Sequence, residues 1–264
     1  NNMAIFEGVG QYGSLRVPEA GAPRYIGTKL SDNFRLVYKD FDLLEQQVEE
    51  GHKIEPKYFL PIIPTILVNG ASGIAVGFST NILNRNPKDV TDACIAYLEG
   101  KKMKQLTPWL SHFKGTYTSD TTTPNKWNIS GKYEVVNRTI VHVTELPPQI
   151  TFEKYEDYLH DLIDNRSIVD YDNNSSSNVD YTLKFQRAVL DELIANNKLE
   201  KLLKITSTDT DNFVTLDENG QLKIFNNAHE IVKYFVDFRL QWYQVRKDRM
   251  IEKITRDMNI ASYR

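Results

Sequence analysis

A chain of 264 residues, with 41% hydrophobic and 25% charged side chains, is long enough for one large domain or two smaller ones with real cores. It has no apolar run of about 18 residues, so no membrane-spanning helix is expected, and its one cysteine, Cys94, excludes an internal disulfide framework and suits a reducing compartment. The net charge of −3 argues against a uniformly basic nucleic-acid binder, and one thiol with five scattered histidines makes no zinc pattern.

Residues 1–22 are rich in turn formers (Gly8, Gly10, Gly13, Pro18, Gly21) and read as loops and short extended pieces. Residues 1–39 hold five basic side chains against three acidic ones, a local excess suited to an anion. A helix is predicted from about Tyr25 to Tyr38, with Ile26, Leu30, Phe34 and Val37 on one face, and a second short helix over 40–50. The prolines of the apolar stretch Phe59–Val68 forbid a helix interior, so an extended, partly buried segment is predicted there. Asn86-Pro87 is a cap followed by a first-turn proline, and its helix should run to about Leu98, before Gly100.

From Gly115 to Leu146 the pattern turns to strands: 127–129 and 133–135 around Ser130-Gly131, then 139–143, closed by Pro147-Pro148. Residues 151–164 are predicted as an amphipathic helix with Phe152, Tyr155, Leu159 and Leu162 on its buried face. Eight acids against two bases over 151–180 read as solvated helix and loop surface. A polar loop over 173–178, a strand over 179–186 and a helix over 188–195 follow. Phe213–Leu216 and Leu222–Ile224 flank Asn219-Gly220 as a hairpin. Residues 228–259 lack proline and glycine and are predicted as one long helix. Ile231, Phe235, Phe238, Trp242 and Val245 form a coiled-coil-like seam that Ile251, Ile254 and Met258 continue with a shift; a helix packed on its own domain is the simpler reading.

Three segments could carry chemistry. Gly10–Ser14 precedes Gly21-Ala22-Pro23-Arg24-Tyr25; Glu55–Pro64 follows; then comes Leu67–Gly77. A phenol ionises near pH 10, so a tyrosine is a poor nucleophile until something stabilises its anion. A neighbouring arginine such as Arg24 lowers that cost and can hold a phosphate. Ile74 among glycines is either a buried strand residue or a wedge able to enter a base step. Asp209 and Asp211 form an acid-x-acid pair, but residues 208–212 read as a structural loop. No glycine-rich phosphate loop of the P-loop type is present.

The order and spacing of these segments resemble type IIA DNA topoisomerases. Eukaryotic members carry a phenylalanine version of Gln11-Tyr12-Gly13 and an Ala-Ser-Pro-Arg-Tyr run where this chain has Gly21–Tyr25. Glu55-Pro56, Leu60–Pro64, Asn69–Ala71 and Gly73-Ile74 match that group closely. Weaker likeness continues through His112–Gly115, Ile129–Gly131, Glu145–Pro147 and Asn219-Gly220 to the last helix, covering essentially the whole chain. The loop between Gln11 and Tyr25 is a couple of residues shorter than in eukaryotic members, and Val17–Ala20 replaces a Gly-Gly-Lys segment. That spacing resembles the medium subunit of T-even-type phage topoisomerases. The arginine of Ser14-Leu15-Arg16 is displaced by one position, so no phosphate contact is carried over to Arg16.

The resemblance implies a DNA breakage-and-rejoining subunit of α+β fold. Residues 1–60 would be the C-terminal part of a winged-helix domain, 61–227 a tower domain with a β-sheet and flanking helices, and 228–264 the start of a coiled-coil arm. Tyr25 would be the nucleophile that leaves a 5′-phosphotyrosyl link, Arg24 would contact the scissile phosphate, and Ile74 would be the wedge. Lys29, Ser72 and Gly73 are further expected DNA contacts, and no metal ligand is expected here. Mg2+ would sit in a separate Toprim module, and ATP on a partner chain or another region. The expected partners are double-stranded DNA, a second copy of this chain and an ATPase/Toprim large subunit. A helix-turn-helix and a phosphate-binding histidine would lie upstream of Asn1, a dimer gate would lie beyond Arg264, and this piece alone would be inactive. The compartment would be the cytoplasm of a bacterial host for a phage enzyme and the nucleus for a eukaryotic one. A reading from another class is a non-catalytic DNA-bending or scaffolding module.

Overall fold

The computed structural model describes residues 2–14, 17 and 19–262; Arg16 lies outside them. Two units, each assembled from distant segments, make up the chain: residues 1–6, 30–110 and 211–264 form one, and 7–29 with 111–210 form the other. Helices and sheets are mixed in a predominantly antiparallel way, and among the described residues no helix is long and apolar enough to cross a membrane.

In the unit containing 111–210, four strands lie in the order Asp170–Asn173, Tyr181–Lys184, Ile140–Glu145, Lys132–Val135. Val141 pairs with Leu183 and Val143 with Tyr181, so the two-residue period places these four fully buried side chains on one face. The helix Phe152–Asp164 covers that face with Phe152, Tyr155, Leu159 and Leu162, as its periodicity predicts. Its first turn is capped by Thr151, whose hydroxyl accepts from the Lys154 amide. A second sheet orders Thr206–Thr210, Lys126–Ser130 and Thr116–Ser119. The Thr206–Thr210 strand replaces the loop expected around Asp209: its residues are polar, and only pairing with Lys126–Ser130 makes it a strand.

In the other unit, the helix Pro87–Leu98 begins on Asn86, whose side chain accepts from the Lys88 amide at 2.9 Å. It packs with the long helix Ala228–Ser262 around Leu67, Val68, Ile82, Val90, Phe213 and Val232. The long helix forms as predicted, but its buried face is rotated from the expected seam. Ala228, Ile231, Val232, Val236 and Arg239 are buried, whereas Phe235, Phe238 and Trp242 are half-buried and Val245 is exposed. From residue 247 to 262 every position is exposed.

Two predicted helices are corrected. The stretch 25–38 is a 3-10 turn Pro23–Tyr25, a strand Gly27–Leu30 and a short helix Asp32–Val37. Ile26 is extended, and Gly27–Leu30 pairs with Phe6–Val9, a partner that local periodicity cannot reveal. Over 40–50 only Phe41–Leu43 turns; Gln46–Glu49 then forms a hairpin with His52–Pro56. The proline-rich stretch is non-helical as far as Pro64, after which Thr65–Asn69 is a helix.

Candidate functional site

Tyr25 sits in a loop spanned by the Phe6–Val9 and Gly27–Leu30 ribbon. Pro23 sets the first position of its turn, and the Tyr25 amide donates to the Ala22 carbonyl at 2.9 Å. The Gln11-Tyr12-Gly13 segment braces this turn: the Gly21 amide donates to the Gln11 carbonyl at 2.9 Å, and the Tyr12 hydroxyl donates to the Gly27 carbonyl at 2.7 Å. Gly10 lies at φ +105, and a Cβ there would come within 2.9 Å of the Tyr25 carbonyl oxygen. The outcome is a firmly held backbone carrying a side chain that is 76% exposed. The Arg24 guanidinium carbon stands 5.7 Å from the Tyr25 ring centroid, so a cation accompanies the phenol. Lys29 is on the adjoining strand and is ion-paired with Glu7 at 2.8 Å, both side chains being largely exposed. An anion there would compete with Glu7, a weak rival because exposed pairs contribute little.

Ser72, Gly73 and Ile74 lie on the hairpin Ala71–Ala75/Phe78–Ile82, in the other unit. Its strands pair Ser72 with Asn81, Gly73 with Thr80, Ile74 with Ser79 and Ala75 with Phe78. The turn is Val76-Gly77, with Gly77 at φ +80. Ile74 is 95% exposed, which removes the buried-strand reading of this residue. The hairpin base is anchored: Asn81 and Asn212 exchange backbone bonds at 3.0 and 2.7 Å, and the Asn212 side chain donates to the Ser79 carbonyl at 2.7 Å. A Cβ on Gly73 would meet nothing nearer than 3.9 Å, so this glycine is not demanded by packing within the chain.

Two ion pairs that the sequence did not signal hold the unit of residues 1–6, 30–110 and 211–264. Arg85 and Asp211 are both buried and joined at 2.6 Å; Asp211 also accepts from the Leu83 amide at 2.8 Å. Arg239, buried in the long helix, bonds Asp40, which also accepts from Arg246 at 3.1 Å. Burial alone would raise the Asp40 carboxyl, but the hydrogen bonds and charges of Arg239 and Arg246 outweigh it and hold it below its ordinary value. Burial pushes the Cys94 thiol up to about 11, which makes it an unreactive core group.

The acid-x-acid pair does not fit a magnesium ion. Asp211 is spent on Arg85 and Leu83, and Asp209 faces Gln149 at 3.3 Å and the Thr210 amide at 2.8 Å. Among the described residues no group of three or more histidine, cysteine or carboxylate side chains could hold a metal ion. Thus Tyr25, Arg24 and Lys29 fall together on one braced loop and ribbon, and Ser72, Gly73 and Ile74 on one hairpin. Sequence reasoning missed the bracing roles of Gly10 and Tyr12 and the exposed Val76; a β-branched residue at a two-residue turn was the available signal for the last.

A family model for the A-type subunits of DNA gyrase and topoisomerase IV matches residues 1–263. DNA topoisomerase 2 of Plasmodium falciparum is 35% identical over 99% of this chain and 19% of its own length. The DNA topoisomerase medium subunit of Enterobacteria phage T4 is 30% identical over 99% of this chain and 59% of its own length. The crystal structure of the Plasmodium falciparum topoisomerase II DNA-binding, cleavage and re-ligation domain matches at a TM-score of 0.88 and 35% identity, covering 97% of this chain and 36% of that one. The chain therefore spans about a fifth of the first of these relatives and about three-fifths of the second.

Proposed function

This chain belongs to the family of DNA gyrase and topoisomerase IV A-type subunits, and from that membership we propose that it cuts and rejoins DNA within an ATP-dependent type II topoisomerase. The observation that carries the proposal is the exposed, backbone-braced Tyr25 with Arg24 beside it, in a chain resembling a DNA cleavage domain at a TM-score of 0.88.

In this reading the Tyr25 Oη loses its proton and bonds to a backbone phosphorus, while the bond from phosphorus to the 3′-oxygen breaks. The 3′-oxygen takes up a proton, and the 5′-phosphate stays on the tyrosine. One phosphate ester replaces another, so the reverse step rejoins the strand without an energy source. Negative charge grows on the phosphate oxygens during the transfer, and in this reading Arg24 opposes it; its guanidinium carbon 5.7 Å from the Tyr25 ring centroid supports that role. Magnesium, which the family's enzymes use, would add positive charge there. Its ligands, like the ATP site, belong to other parts of the enzyme in this reading, since Asp209 and Asp211 do not fit the ion.

Ile74 is read as a wedge that unstacks a base step and bends the cut duplex, with Ser72 and Gly73 against the backbone below it and Lys29 on a phosphate near Tyr25. The absence of any packing demand on Gly73 supports close approach by something outside the chain. Residues 1–60 are assigned to the rear of a winged-helix domain, 61–227 to a tower and 228–264 to the start of a coiled-coil arm. A second copy would supply the tyrosine for the opposite strand, and an ATPase/Toprim chain or region would drive passage of a second duplex. The site of action is wherever the DNA lies, a host cytoplasm or a nucleus.

The test uses the full-length protein assembled with its ATPase/Toprim partner. Tyr25→Phe removes the nucleophile and keeps the ring, so covalent protein–DNA adduct and strand passage should both vanish while DNA binding persists. Adduct formation by the variant would overturn the assignment.

A further inference from the structure

The hairpin that carries Ile74 presents a second aliphatic side chain, farther out. Val76 is the first of the two turn residues between the paired Ala75 and Phe78, and it is 101% exposed. Tight hairpin turns favour Gly, Asn and Asp, which tolerate the backbone or bond to it locally. Gly77 satisfies that demand here with φ +80. Val76 is not at positive φ and so is under no backbone strain, but it is β-branched, stiff at χ1 and of a type depleted in turns, and it buries no surface within the chain. A residue that breaks local turn chemistry with no compensating contact inside the fold marks a contact outside it.

The hairpin is built to present that tip. It is tied to Asn212 by two backbone bonds at Asn81, by the Asn212 side chain donating to the Ser79 carbonyl and hydroxyl, and by the Thr80 hydroxyl donating to the Asn212 carbonyl. Ser72, Asn81 and Ser79 share the face of Ile74: Ser72 and Asn81 lie toward the base, Ser79 stands opposite Ile74, and Val76 lies beyond them, so that face runs from polar side chains to an aliphatic tip. This gradient matches a nucleic-acid minor groove, with polar sugar and phosphate at its rim and apolar base surface within once a step is unstacked.

We propose that Val76 is a second DNA-contacting residue, which fills the opened minor groove beside the step wedged by Ile74 and selects the neighbouring base pair. The proposal rests on the wedge reading of Ile74 given above. The selection follows from groove chemistry. A G·C pair places the guanine N2 amino group in the minor groove, whereas an A·T pair shows only the adenine N3 and thymine O2 acceptors and no projecting amine. An aliphatic side chain pressed against the N2 amine strips water from a donor that it cannot replace, so Val76 disfavours G·C next to the wedged step.

The experiment measures bending by fluorescence energy transfer across a labelled duplex. It uses the full-length protein assembled with its partner and carrying Tyr25→Phe, so that no strand is cut. Duplexes place either A·T or G·C beside the bent step. Val76→Asn suits the turn and should leave thermal melting unchanged or raised. It should weaken the bent complex about tenfold, the amount expected for losing one buried valine side chain, and erase the A·T preference. Val76→Ile should retain both. If Val76→Asn bends both duplexes as the parent does while Ile74→Ala abolishes bending, Val76 has no such role and the wedge reading stands. If Ile74→Ala leaves bending intact, the wedge reading falls and this proposal falls with it, whatever Val76→Asn does.

Discussion

At Gly10 the backbone is held at φ +105 with the Tyr25 carbonyl oxygen close by. An alanine there must adopt a conformation that costs about 1–3 kcal/mol and push the Tyr25 carbonyl away. A displacement of about 1 Å at a reacting group costs on the order of 10²-fold in rate. Gly10→Ala should therefore slow adduct formation by about that factor in the assembled enzyme, with the circular dichroism spectrum unchanged and the melting temperature lowered by only a few degrees. Adduct formation at the parent rate would show that the brace is dispensable. This residue also marks what the sequence made legible. The segment Gly10–Ser14 stood out by likeness to a family, yet its work, holding the turn of Tyr25, follows from bonds across residues 8–27 that spacing does not encode. The same holds for Ile74, where glycine neighbours are compatible with burial and with exposure alike.

Elements with their own local signals were legible: Asn86-Pro87 opens its helix, the apolar period of Phe152, Tyr155, Leu159 and Leu162 marks the next, and the run without proline or glycine after Ala228 is one helix. Alternating strands such as 139–143 and the hairpin around Asn219-Gly220 were legible too, but elements whose only signal is a distant pairing partner were not. Positions 26, 30, 34 and 37 have helical spacing, but they are spread over extended backbone and a six-residue helix because Gly27–Leu30 is taken by Phe6–Val9. The long helix was legible as a helix and misread at its face, because Arg239 is buried where a seam of apolar residues was expected. Its burial depends on Asp40, some 200 positions away in sequence. Asp40→Asn leaves the buried Arg239 cation without a counter-charge and should cost about 3–5 kcal/mol of stability. The Asp40 carboxyl titrates lower folded than unfolded, so its contribution is complete above the unfolded value of 3.8 and is lost as pH falls through the folded value. Urea unfolding of parent and variant should therefore differ most above that window and converge below it. A difference that stayed constant on acidification would mean that the pair's charge is not what stabilises this helix.

Among the described residues most of the buried hydrophobic side chains fall into two clusters with no member in common. One gathers Val141, Val143, Tyr155, Leu159, Tyr181 and Leu183; the other gathers Leu67, Val68, Ile82, Val90, Phe213 and Val232. The first core is built from one stretch of sequence, 141–205, which is why its helix and strands were largely readable in order. The second joins residues near 67, 90, 213 and 232, and no local pattern announces that meeting. Because cavity costs are felt by the side chains lining them, damage in one core should stay there. Leu159 is fully buried, and Leu159→Ala should destabilise its own core by about 2–5 kcal/mol. In native-state hydrogen exchange of the full-length protein, amides of 141–205 should lose protection by that amount. Amides of Leu67, Ile82 and Val232 should keep theirs, since separate cores open separately. Equal acceleration in both sets would mean that the chain unfolds as one cooperative body, and the braced Tyr25 loop and the Ile74 hairpin would then share a single stability.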